Sequence, residues 1–163
     1  MKRVVSLILT ACLLLSGCAF SGERMKDPVT FYYPRREFQY GAADGVIASE
    51  QREASGHRKD LDYLLALYLI GPTDETLYSP IPRGTRFLKI GQQDAAVTLE
   101  LTDTAQSMTE AEFTLACACL TITCLSITNA QSVTVISGSR TVTMSRDNLT
   151  LYDNNTDTTE EVK

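Results

Sequence analysis

Apolar residues fall along this chain in several distinct rhythms, and each rhythm predicts a different kind of segment. The first is a run over residues 4–15, broken only by Ser6 and Thr10 and preceded by Lys2 and Arg3. A dozen such residues fall short of the ~20 that a spanning helix needs. The charged start, the apolar run and the small residues Ser16 and Gly17 read together as an export signal. Residues 19–28 are polar and lack a period, as expected of a tether. Residues 29–33 and 46–52 are β-branched, aromatic or alternating and read as strands, the first closed by Pro34. Residues 53–56 read as a turn. From Arg58 the period changes. Leu61, Leu64, Leu65, Tyr68 and Leu69 recur at three- and four-residue spacing, which is one face of a helix. Gly71-Pro72 ends it, because glycine accepts a left-handed cap and proline cannot continue the ladder.

Residues 73–84, with Pro80 and Pro82, predict an ordered loop. Strands are expected at 85–90 and 95–101 around a turn at 91–94. In the second, Val97, Leu99 and Leu101 alternate with Thr98 and Glu100, so one face is buried and the other wet. Ser107-Met108-Thr109-Glu110 reads as a capping box, opening a helix that runs to about Ser126. Its inward stripe is Phe113, Ala116, Cys117, Leu120 and Cys124, and the β-branched content of residues 120–127 weakens its last turn. Residues 133–136 and 141–144 predict a hairpin about Ser137-Gly138-Ser139, and the acidic, polar residues 153–163 a disordered tail. The order is ββαββαββ, with a doubled αββ grouping. Two helices on one face of a mixed sheet would bury both stripes, which makes the class α+β.

The string Leu15-Ser16-Gly17-Cys18 resembles the lipobox read by lipoprotein-processing enzymes. That resemblance implies cleavage between Gly17 and Cys18, a diacylglycerol on the Cys18 thiol, and a place on the extracytoplasmic side of the cell membrane. Acyl chains such as palmitate contribute about 0.8 kcal/mol per buried CH₂, so two or three of them would hold the protein almost permanently. Loss of residues 1–17 leaves 146 of the 163 residues, enough for one domain at 29–152 behind a tether at 18–28. The lost segment takes Lys2 and Arg3 from 15 basic residues and nothing from 20 acidic ones, which moves the net charge from −5 to −7. Nucleic acid is an unsuitable partner for such a balance.

Few residues suggest chemistry. His57 is the one histidine, in a polar stretch with no acid or thiol cluster beside it, and reads as a solvated loop residue. Cys117, Cys119 and Cys124 remain after Cys12 leaves with the signal. On a helix, Cys117 and Cys124 stand about 10 Å apart along the axis, too far for a disulfide or a compact zinc site, and Cys119 points to another side. They read as core residues. Asp153, Asn155 and Asp157 have the alternate spacing of calcium ligands, but Thr158 stands where such a loop needs glycine. Asp60 and Asp62 suit the dipole at the start of the first helix. Neither a phosphate loop nor a nucleophile motif is present, so no cofactor and no metal is implied. A binding or assembly module is the favoured class. The alternative, a hydrolase of peptidoglycan or an accessory subunit of one, would need convergent carboxylates or a metal set.

Tyr32-Tyr33-Pro34, Glu50 with Arg52, Leu65 to Pro72 (LALYLIGP), Ile81-Pro82-Arg83-Gly84-Thr85, Val97 to Leu101 and Val133 to Ile136 together resemble the GerMN domain, over roughly residues 31–151. The helix ending in Gly71-Pro72 and the Ile-Pro-x-Gly-Thr string are its most specific pieces. The resemblance implies a module similar to the ring-building motif, found in lipoproteins of Gram-positive and often spore-forming bacteria and carrying no chemistry of its own. Sporulation, germination and envelope complexes are the implied settings. Two departures stand out: there is room for one such domain and not for a tandem, and Ser137-Gly138-Ser139 lacks the acid many members place before the glycine. Edge strands would be left to meet a partner, with Ser79, Arg83, Thr98 and Glu100 as the candidate surface. The partner is expected to be an envelope protein or the cell wall, with a homo-oligomer left open.

Overall fold

The computed structural model describes residues 25–38, 45–147 and 149. The export signal, the cleavage site at Gly17 and Cys18, most of the tether, and the tail with Asp153, Asn155 and Asp157 lie outside the described residues.

Strand β1 (Pro28–Pro34) turns Val29, Phe31 and Tyr33 into the core and pairs antiparallel with β2 (Ile47–Glu53). Helix α1 (Leu61–Leu69) follows, with Asp60 as its N-cap: the carboxylate accepts from the Tyr63 amide at 3.0 Å. Gly71 takes φ +95° directly after the helix, as its cap position demands. Strands β3 (Phe87–Gln93) and β4 (Ala96–Leu101) form a hairpin. A 3₁₀ turn (Asp103–Ser107) leads into α2 (Glu110–Ile127), and β5 (Ser132–Ser137) with β6 (Arg140–Ser145) close the described chain.

The α+β class and the order ββαββαββ are as expected. The strands divide between two sheets, β1-β2 and β3-β4-β5-β6. The larger is mixed: β4 and β5 run parallel, and a parallel pair needs a long crossover, which α2 supplies. Helix α2 packs against β1 of the small sheet and against β5 and β6 of the large one. That position explains its burial. The expected stripe is inside, but Cys119, Thr121, Ile122 and Thr123 are buried as well. Eighteen residues of this apolarity could also cross a membrane by length and composition, yet Phe113, Ala116, Cys117, Leu120 and Cys124 of α2 belong to a core that both sheets share.

Helix α2 also covers the outer edge of β1. The Tyr32 amide donates to Thr123 Oγ1 at 3.0 Å, and Ser126 Oγ donates to the Thr30 carbonyl at 2.9 Å, so side chains replace the strand that would otherwise pair there.

Three local expectations shift. The capping box is Thr109 with Glu112 and not Ser107 with Glu110. Ser107 ends the 3₁₀ turn, where its hydroxyl donates to the Thr104 carbonyl, and buried Met108 separates that turn from the helix. The helix keeps its last turn to Ile127, where Thr128 Oγ1 and the Thr128 amide both donate to the Cys124 carbonyl. The β3–β4 turn is Asp94-Ala95, two residues, with Asp94 at φ +53°; Gly91 stays in the strand opposite Thr98.

Successive elements run back and forth between two ends of the molecule. At one end the Ala54 amide donates to the Asp27 carbonyl, and Arg58 Nη1 reaches both Asp27 Oδ1 and the Pro28 carbonyl. The β3–β4 turn meets residue 131 there, through the Gln131 amide and the Ala95 carbonyl at 2.7 Å. At the other end the Tyr78 amide donates to the Pro34 carbonyl, Thr85 and Thr104 share a hydroxyl contact at 2.8 Å, and Ser137 Oγ donates to the Thr102 carbonyl. The longer connections, 70–86 and 102–109, lie at this second end.

Candidate partner-binding site

The connection between α1 and β3 is long and proline-rich, yet it is held from beneath by a group of polar side chains near the small sheet. Glu50, 9% exposed, accepts the Thr73 amide at 3.1 Å and the Thr73 hydroxyl. Arg52 Nη1 donates to the Gly71 carbonyl at 2.9 Å, and Arg52 Nε lies 4.0 Å from Glu50. Beside them the Tyr33 and Tyr68 rings stack with centroids 4.6 Å apart. Tyr33 Oη donates to the Tyr68 carbonyl and Tyr68 Oη to the Tyr32 carbonyl. Desolvation by burial pushes both phenols well above their ordinary range, and the positive charge of Arg52 opposes this at Tyr33. The pieces Tyr32-Tyr33-Pro34, Glu50 with Arg52, and Gly71-Pro72, separate in sequence, converge here. Their work is structural: an interior carboxylate and guanidinium hold the backbone where the helix gives way to the loop.

Leu77 and Ile81 anchor the loop into the core. Asp74 accepts the amide and hydroxyl of Thr76, and these hydrogen bonds hold its carboxyl below the usual range. Ser79 Oγ donates to the Ile81 carbonyl, and Thr85 Oγ1 donates to the Pro82 carbonyl at 2.8 Å. The loop has a hollow on either side. One, of about 360 Å³, is walled by Tyr78, Pro80, Met108, Glu112 and Leu115; burial raises the Tyr78 phenol. The other, of about 300 Å³, lies among Arg36, Ile70, Asp74, Pro82 and Arg83. Ile70 is 77% exposed on its rim.

The structure places the four candidate surface residues in two separate areas. Ser79 borders both hollows and Arg83 stands exposed beside the second. Thr98 and Glu100 lie on the outward face of β4, with Thr98 exposed and Glu100 half-buried. In register, Thr98 sits between Gly91 and Thr134, and Glu100 between Lys89 and Ile136. That face is small and hydroxyl-bearing: Thr134 and Thr143 make a cross-strand contact at 2.9 Å. The two edges of this sheet differ. β3 carries an irregularity at exposed Leu88, whereas β6 follows β5 without interruption.

The remaining candidates sit in structural roles. His57 Nδ1 is 3.6 Å from Asp60 Oδ2 and its ring stacks on Tyr63, at the start of α1. Cys117, Cys119 and Cys124 are fully buried, and desolvation pushes each thiol up to about 12. Among the described residues no three His, Cys, Asp or Glu side chains gather closely enough to hold a metal ion.

No family model matches the chain, and no curated protein matches it. The fold is that of a GerMN domain. The chain is similar to the tandem GerMN domains of the sporulation protein GerM from Bacillus subtilis, at 18% identity with a TM-score of 0.51 over 69% of this chain. It spans 39% of that protein's chain. A candidate lipoprotein from Clostridium perfringens is similar at 13% identity and a TM-score of 0.47, over 74% of this chain and 87% of that one.

Proposed function

We propose that the chain is a lipoprotein, cut between Gly17 and Cys18 and held by acyl groups on Cys18 at the extracytoplasmic side of the membrane. Its single domain is a non-catalytic module that binds or assembles with another envelope protein or with the cell wall. The observation that carries the binding role is the use made of interior charge. Glu50, accepting from Thr73, and Arg52, donating through Nη1 to the Gly71 carbonyl, brace a surface loop and leave the exposed Ile70 and Arg83 on a fixed platform. A rigid scaffold presenting a conformationally defined loop is the usual construction of a recognition surface. The anchor rests on the Leu15-Ser16-Gly17-Cys18 string. The fold shared with GerM directs the search for a partner to sporulation, germination and other envelope complexes.

The test is capture from crosslinked membranes. Arg83→Glu is expected to reduce recovery of the partner while moving stability by less than about 0.5 kcal/mol, the usual range for an exposed site. Glu100→Lys tests the separate sheet face in the same way. Full capture by both variants would place the binding surface elsewhere.

A further inference from the structure

We propose that the domain has a preferred sense relative to the bilayer: the end holding Asp27 and residues 54–60 faces the membrane, and the end built from residues 70–86 and 102–109 faces away. This inference rests on the lipid anchor at Cys18. The chain enters the fold at Asp27, where the Ala54 amide and the Arg58 guanidinium pin it. From there β1 runs seven residues, Pro28–Pro34, to the Tyr78 amide at the opposite end. At about 3.3 Å per residue the two ends lie roughly 20 Å apart.

Nine residues, 19–27, join Cys18 to Pro28, and the ten steps between them reach at most about 35 Å. Asp27 therefore stays within that distance of the headgroups, and the far end, tied to it through β1, is free to stand higher. The charge balance favours the upright stance. With 10 basic and 14 acidic residues over 29–152, the domain is repelled by anionic headgroups and gains nothing by lying flat on them. Arg83 and Ile70 thus stand on the side open to the wall. Lys59 and His57 stand on the side toward the lipid.

The test uses the full-length acylated protein in vesicles that carry an energy-transfer acceptor on the headgroups. Single dyes are placed through Lys59→Cys or Arg83→Cys. The three internal cysteines are buried and are expected not to compete for label, and acylation would occupy Cys18. Transfer is expected to be about twofold or more stronger from position 59 than from position 83, given the roughly 20 Å between the ends. Ten Gly-Ser residues inserted between Gly22 and Glu23 should shrink that difference. Flotation of the same vesicles reads the anchor independently. Protein that floats but shows equal transfer, or more from position 83, overturns the orientation alone; protein that does not float overturns the anchor and the orientation with it.

Discussion

Three thiols on one helix would be open to oxidation and disulfide exchange if they were accessible. Cys117, Cys119 and Cys124 are each 0% exposed, and burial lifts their thiols from 9 to about 12. Reactivity follows the thiolate, and near neutral pH that form is scarce at all three. The domain is therefore expected to give almost no reaction with an aromatic disulfide reagent while folded and three equivalents once unfolded. One fast equivalent in the native protein would contradict the core reading. The same shifts make stability depend on alkaline pH. A folded value raised above the unfolded one means the contribution is complete below about pH 9 and is lost as pH rises toward 12. Each thiol alone gives a slope of up to about 1.4 kcal/mol per pH unit in that window. Denaturant midpoints measured from pH 7 to 11 should hold level and then fall. At this scale the sequence was partly legible. The stripe of Phe113, Ala116, Cys117, Leu120 and Cys124 follows from helical spacing, but the burial of Thr121 and Thr123 does not, because periodicity says which face is apolar and not how many sides of a helix are covered.

Element boundaries carry a similar lesson. Two residues separate the expected capping box from the real one, and both versions satisfy the same rule, a hydroxyl with an acid three positions on. The choice is made by the 3₁₀ turn before the helix, which uses Ser107 and tucks Met108 inside; a pattern confined to four residues contains neither fact. Thr109→Ala should cost about 1 kcal/mol, as loss of an N-cap does, whereas Ser107→Ala should cost a few tenths at most. Equal losses would put the cap back at Ser107. Glu112 accepts the Thr109 amide and hydroxyl, and this lowers its carboxyl. Its contribution is present above the unfolded carboxylate value and fades as pH falls through the lower folded one, so the Thr109→Ala deficit should narrow in acid. The β5–β6 turn was read more closely. Gly138 takes φ +56° at the first turn position, and a Cβ there would collide with the Gln106 side chain. Gly138→Ala should lose about 1–2 kcal/mol from the left-handed backbone alone, checked by the shift in denaturant midpoint.

For the whole molecule, the class and order of elements were legible because each has its own period, and the partition into two sheets was not. Pairing between distant strands depends on what lies between them, and here that is α2. The helix supplies the parallel crossover for β4 and β5, and its Thr123 and Ser126 close the edge of β1. The candidate site was legible in part for the same reason: Ser79 and Arg83 fall on one loop because they are close in sequence, while their separation from Thr98 and Glu100 is set by the fold. If α2 joins the sheets into one cooperative unit, damage at its contact with β1 must be felt across the molecule. Thr123→Val conserves shape but leaves the Tyr32 amide without its acceptor, a loss of about 1–3 kcal/mol. The variant should still unfold in a single transition, at lower temperature, with circular dichroism and near-ultraviolet tyrosine signals moving together. Hydrogen exchange should quicken first in β1 and β2, whose amides lose their cover, while global unfolding sets the rate for β4 and β5 in both proteins. A second transition, with β1-β2 melting ahead of β3-β6, would show instead that the two sheets are held by α2 only loosely and fold as separate units.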